Sequence, residues 1–208
     1  HERSSAASDV YKRQDHELLR NLYAEPRPTS LAKVQYKIDQ HCKEFISRSP
    51  FIILGTDGDV SPKGDFPGFV EVIDDNTIAI PDRSGNNRLD SYTNILKNPK
   101  VAVMFLIPGI SEVLRIRGMA EISQDEDLLA KMSANDQMPK TALIISVNEI
   151  YLHCAKAIAR SDIWNPDKLV RDYSTREMFA EHVGKSKKEF SDYYYSATEE
   201  ALTNEGRK

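Results

Sequence analysis

Apolar residues recur along this chain with two different periods, and the changes from one to the other mark out its elements. Residues 31–48 place Leu31, Val34, Ile38, Phe45 and Ile46 on one helical face with charge opposite, and Ser49-Pro50 stops the run because the residue before proline avoids the helical region. Residues 51–56 are apolar and β-branched, the mark of a buried strand, and Asp57-Gly58-Asp59 supplies hairpin chemistry. Runs at 69–73 and 77–80 make a second hairpin around Asp74-Asp75-Asn76. A short amphipathic helix then carries Leu89, Tyr92, Ile95 and Leu96 on one face, and 101–107 reads as a fully buried strand. Residues 112–122 alternate, with Leu114, Ile116, Ala120 and Ile122 on one side and Arg115, Arg117 and Glu121 on the other, which predicts a half-buried antiparallel strand. Ser123 with Glu126 forms a capping box for a helix over 124–134, and 142–152 is the last long strand. Helical stretches at 176–183 and 187–204 close a charged tail.

Six or seven short strands joined mainly by hairpins favour an antiparallel barrel over a parallel sheet. A lone Gly85 without a Gly-x-Gly-x-x-Gly pattern argues against a dinucleotide-binding βαβ fold.

Composition narrows the function classes. At 208 residues the chain is long enough for one domain with a sizeable core, and 40% hydrophobic with 29% charged residues is ordinary for a soluble protein. A net charge of −4 argues against nonspecific nucleic-acid binding. The apolar runs are too short to span a bilayer, and no metal-ligand spacing is present. Cys42 and Cys154, far apart in sequence, read as buried thiols in a reducing cytoplasm. The chain starts at His1, and Asp9-Val10-Tyr11-Lys12-Arg13-Gln14 resembles the translation of a sequencing adaptor, so residues 1–14 are expected to be non-native. The expected organisation is a barrel domain with its N-terminal helix over 15–166, followed by a helical extension over 167–208.

The candidate chemistry lies at Pro81-Asp82-Arg83-Ser84-Gly85-Asn86-Asn87-Arg88-Leu89-Asp90-Ser91. Arg83 and Arg88 have the forked donors that suit phosphate oxygens, Gly85 permits a turn with positive φ, and Asn86, Asn87 and Ser91 are further donors. Either asparagine could cap the following helix, whose free amides favour an anion. The same composition also fits a helix-capping turn with two solvated arginines. In Val60-Ser61-Pro62-Lys63-Gly64-Asp65, proline and glycine inside a strand mark either a bulged, solvated edge or a close approach to the backbone. Lys156 and Arg160 are spaced to project from one side of a helix, ahead of Trp164, the chain's one tryptophan.

Three blocks in order (59–65, 81–90, and 153–156 with 160–164) resemble those of one bacterial branch of the pyridoxamine 5′-phosphate oxidase-related, FMN-binding split-barrel superfamily. The resemblance covers about residues 31–166. It implies a six-stranded antiparallel split barrel with flanking helices, dimerised so that one FMN sits in each of two clefts between subunits. On that template Arg83, Asn87 and Arg88 hold the phosphate, with Ser91 as a further donor; Asn86 joins them as a candidate by residue type. The backbone from Ser61 to Gly64 runs along the ring with Lys63 nearby, and Lys156, Arg160 and Trp164 close the site, from the same chain or from the partner subunit. It also implies hydride transfer through FMN to or from a small organic substrate, with NAD(P)H as a candidate donor; no catalytic side chain is assigned. Pyridoxamine phosphate oxidases end in an arginine- and histidine-bearing strand, whereas 167–208 reads as charged helix, which argues against vitamin B6 oxidation. A flavin-binding sensor without turnover, or the same barrel holding haem (through His41, His153 or His182) or a deazaflavin, are the alternatives.

Overall fold

The computed structural model describes residues 16–204. The expectation for 1–14 therefore lies outside the described residues. The chain divides into two compact units, His1–Val34 and Gln35–Lys208. The first holds two short helices, α1 (His16–Leu22) and α2 (Pro28–Ala32), the latter started by a proline in its first turn.

The second unit is built on a seven-stranded antiparallel sheet, order β2-β1-β5-β6-β7-β4-β3, which does not close. Its strands are β1 (Phe51–Thr56), β2 (Asp59–Gly64), β3 (Glu71–Asp74), β4 (Thr77–Pro81), β5 (Lys100–Leu106), β6 (Val113–Ser123) and β7 (Ala142–His153). This is the split barrel expected from sequence, with one strand more than the six of the template. Its helices are α3 (Gln40–Arg48), α4 (Asp90–Lys97), α5 (Glu126–Lys131), α6 (Lys156–Ser161), α7 (Arg176–His182) and α8 (Lys187–Asn204). Among the described residues no helix is long and apolar enough to cross a membrane.

The core is the inner face of the sheet, where Ile52, Leu54, Ile78, Ile80, Val103, Phe105, Ile116, Leu143, Ile145 and Ile150 are fully buried with Ile38 and Ile46. Strands β1 and β5 alternate between buried and accessible positions instead of being wholly buried. The other face of the sheet, with Gly55 and Ala102 on these two strands, Val60 on β2 and Met119 on β6, lines an open groove of about 850 Å³. Sequence cannot tell a doubly covered strand from one whose outer residues are merely apolar.

Three further expectations are corrected. The continuous helix over 31–48 is absent: Gln35 is drawn into an isolated bridge, its N–H and C=O paired with Ile150 at 2.9 and 2.8 Å. Helix α3 begins only after Asp39, whose carboxylate accepts from the Cys42 N–H at 2.8 Å and is held below its usual range by that bond. Helix α5 is likewise capped by Asp125, which accepts from the Leu128 N–H at 2.8 Å, while Ser123 accepts only from the Asp125 N–H. Finally, of the two thiols expected to be buried, Cys154 is exposed; Cys42 is half-buried, and desolvation pushes its thiol up to about 12.

The tail forms the two helices predicted for it. Gly184 turns the chain with φ of 67°, Ser186 and Glu189 form a capping box, and Phe179 stacks on Phe190 at 4.5 Å between centroids.

Candidate functional site

The chain from Asp82 to Leu89 leaves β4 and enters α4, whose inner face packs against β1, β2 and β6. Ser91 and Ile95 are buried on α4, and Tyr92 is half-buried. Leu89 and Leu96, expected on that face, are 55% and 77% exposed. A helix of eight residues turns its buried face wherever its entry angle sets it, and that angle is decided by the loop.

The loop makes its turn differently from the reading of its residues. Positive φ falls at Asn87 (57°) and Leu89 (59°), not at Gly85. Neither asparagine caps α4: the Asn86 side-chain oxygen accepts from the Arg88 N–H at 3.0 Å, an Asx turn, and the residue before the helix is the left-handed Leu89. Asparagine tolerates that conformation, whereas leucine there costs about 1–2 kcal/mol. Leu89→Gly removes the strain and adds roughly 0.5–1 kcal/mol of chain entropy cost. A net gain of about 0.5 kcal/mol follows from the difference. A shift of the urea midpoint to higher concentration, at unchanged slope, is the expected result.

Two of the three sequence blocks are brought together. The Ser61 and Ser91 hydroxyls lie 2.8 Å apart, so the pair spends one proton on its mutual bond and retains the other. Two residues along β2, the Lys63 side chain is half-buried. Burial holds its ammonium below the ordinary lysine value, opposed in part by the nearby Asp82 carboxylate, and among the described residues no hydrogen-bond acceptor reaches it. A desolvated ammonium in that position is suited to an anionic or electron-rich ligand. Gly64 follows it on the edge strand, where an added Cβ would meet nothing closer than 3.4 Å.

The two arginines are employed differently. Arg83 forms an ion pair with Asp65 and donates from Nη2 to the Met132 carbonyl at 2.9 Å; the two charged side chains are 19% and 2% exposed. Arg88 lies in solvent at 71% exposure, its Nε donating to Asp90 at 2.8 Å. Breaking a buried pair by removing one partner costs about 3–5 kcal/mol, while an exposed pair contributes about 1 kcal/mol at most. Arg88 can therefore turn to a ligand at little cost, whereas Arg83 can meet one only with the N–H donors that its pair with Asp65 leaves over.

The segment between α5 and β7 supports the same loop. The Asp82 N–H donates to the Thr141 carbonyl at 2.9 Å, and the Tyr92 and Thr141 hydroxyls lie 2.9 Å apart. Desolvation pushes the Tyr92 phenol up to about 12. Asp65, Asp82, Tyr92, Met132 and Thr141 were not singled out as site residues from sequence. Asp65 and Asp82 stand inside the 59–65 and 81–90 blocks, but no periodicity reports that Asp65 pairs with Arg83.

The third block leaves the opposite end of β7 from the 82–89 loop. Pro81 pairs with Ala142 at the start of β7, whereas Lys156 follows His153 at its end, eleven steps of about 3.3 Å further on, or roughly 36 Å along the strand. Lys156 and Arg160 are exposed on α6. Trp164 is half-buried and donates its indole N–H to the Ile110 carbonyl at 2.8 Å, in the turn between β5 and β6.

Comparison with known proteins gives the following. The family model described as pyridoxamine 5′-phosphate oxidase matches residues 38–154, more than half of the chain. That span contains β2 and the 82–89 loop and stops short of Lys156. No curated protein matches. Among solved structures, HupZ of Group A Streptococcus is 24% identical with a TM-score of 0.45, covering 55% of this chain and 93% of its own. A single-residue variant of it gives 22%, 0.46, 56% and 99%. General Stress Protein 26 of Bacillus anthracis is 21% identical with a TM-score of 0.39, covering 54% of this chain and 94% of its own. Similarity at this level does not carry function from one protein to another.

Proposed function

The chain belongs to the pyridoxamine 5′-phosphate oxidase family, and from that membership we propose that it is an FMN-binding flavoprotein, an oxidoreductase acting on a small organic substrate. The observation that carries the reading is the meeting of the half-buried, acceptor-lacking Lys63 and the Ser61–Ser91 hydroxyls with a loop whose exposed end offers Asn86, Asn87 and Arg88. A phosphate dianion needs two or more charge-assisted donors to replace its water. Arg88, Asn87, the Asn86 amide and the Ser61–Ser91 pair would supply them, with Arg83 setting the loop from behind. Lys63 and the backbone at Gly64 would face the ring, where a fixed positive charge favours the reduced, anionic flavin.

Hydride transfer is the chemistry that bound FMN supplies. This chain's residues bind and orient it, and the tryptophan and basic residues of the third block exclude water. Because Lys156, Arg160 and Trp164 leave the far end of β7, we assign them to the site of a second copy, in a homodimer with FMN at the seam. The open groove over Gly55, Val60, Ala102 and Met119 supports that reading, as an outer sheet face left for a partner. NAD(P)H is the electron donor proposed, and the cytoplasm the compartment. Protein purified without added cofactor is expected to be yellow, with flavin bands in its absorbance spectrum and the mass of FMN released on denaturation. A haem spectrum, or no chromophore together with no FMN uptake, would overturn the assignment.

A further inference from the structure

We infer that the Asp65–Arg83 pair is a positioning element that fixes the entry of the 82–89 loop, with Arg83 serving the phosphate donors from behind instead of contacting the phosphate itself. For its consequence in binding this rests on the flavin reading; its mechanical part rests on the fold alone. Three separate stretches meet at Arg83: the end of β2 through Asp65, the start of the loop through Arg83 itself, and the end of α5 through the Met132 carbonyl. The Asp65 carboxylate is fixed in turn by the Phe66 N–H. Beside this junction the Asp82 N–H is held by Thr141 O, and Tyr92, one turn into α4, by the Thr141 hydroxyl. Residues 132–141 thus grip the loop at its start and the helix in its first turn. What lies between, from Ser84 to Asp90, is exposed throughout and has the Asn86 turn and the Arg88–Asp90 pair to order it. A ligand group on such a span sits where its anchor puts it. Arg83 is that anchor, being the one loop side chain that reaches both β2 and the α5 end.

Two readouts test this. Trypsin probes the mechanical part, since Arg88 stands in the exposed span. Asp65→Asn and Arg83→Gln are each expected to speed cleavage after Arg88 about tenfold, followed by mass spectrometry of the fragments. The double variant should be no faster than either single one, because the pair acts as a unit. Titration with FMN and with riboflavin, which lacks the phosphate, probes the binding part. Each single variant is expected to lose about tenfold in FMN affinity while riboflavin affinity stays within about twofold, again without further loss in the double variant. If Arg83→Gln loses FMN affinity and Asp65→Asn keeps or gains it, Arg83 is itself a phosphate ligand and the positioning role is overturned. Equal loss of both flavins would reduce the pair to a general stabiliser and overturn it too. Should a single variant fail to fold, the double variant, a neutral pair of similar shape, carries both readouts against the wild type. If the wild type binds neither flavin but the variants open to trypsin, the flavin reading fails and the anchor stands. Unchanged cleavage after Arg88 removes the anchor whatever the flavin result.

Discussion

Arg88→Ala is expected to weaken FMN binding by roughly 1.5–3 kcal/mol, about ten- to a hundredfold, the scale of a hydrogen bond to a charged group. The size follows from what the side chain gives up. In the ligand-free chain its guanidinium touches only the exposed Asp90 carboxylate, a pair contributing at most about 1 kcal/mol, so little is lost when it turns toward a phosphate. The gain on binding is a charge-assisted bond, forked where geometry allows. Riboflavin, without the phosphate, should bind the variant and the wild type alike, and thermal stability should change little because the exposed side chain makes only a solvent-screened pair with Asp90. Isothermal titration with both flavins checks the three statements together. Unaltered FMN affinity would remove Arg88 from the phosphate site.

Gly118→Ala is expected to destabilise the barrel by about 3 kcal/mol, lowering the melting temperature by roughly 6–12 °C for a chain of this size. Gly118 sits in β6 at the register shift that follows Arg117, opposite a β7 strand carrying one extra residue. A Cβ there would fall 2.3 Å from the Ser146 carbonyl oxygen and 2.8 Å from Ile145 Cγ2. The first of these is backbone in the longest strand pair of the sheet, and it has nowhere to retreat. The strand interior is otherwise a place where alanine is tolerated: at Gly55 an added Cβ meets nothing closer than the Ala102 carbonyl oxygen, at 3.6 Å. Gly55→Ala therefore serves as the control and should move the melting temperature little. A Gly118→Ala protein as stable as the wild type would mean that the two strands slide past the shift.

How much of this was legible in the chain differs from element to element. The alternation at Leu114, Ile116 and Ala120 predicted β6 and its buried face, because a pleated strand repeats every two residues and nothing in the tertiary structure can alter that. The helix at 31–48 failed for the opposite reason. Its apolar spacing is helical, but the Gln35–Ile150 bridge captures the chain first, and a bridge between residues 115 positions apart leaves no local trace. Helix α4 was placed correctly but turned wrongly, since its rotation is set by the left-handed Leu89, a residue type that no one would choose for that conformation.

The candidate site divides along the same line. Ser61, Lys63, Arg83, Arg88 and Ser91 could be named from residue type and from resemblance, and Ser61 with Ser91 are in contact. That Arg83 faces inward and Arg88 outward could not be read, because the difference is made by Asp65, eighteen residues earlier, just past the end of β2. Donor chemistry is written in the sequence; the partner each donor finds first is written in the fold.

The most direct test is a fluorescence titration of flavin-free protein with FMN, run alongside sedimentation to fix the mass of the complex. Saturable uptake of one FMN per chain in a dimer, with riboflavin bound at least tenfold more weakly for want of its phosphate, is the predicted result. Protein that remains monomeric and takes up no FMN from an excess would contradict the account at its root.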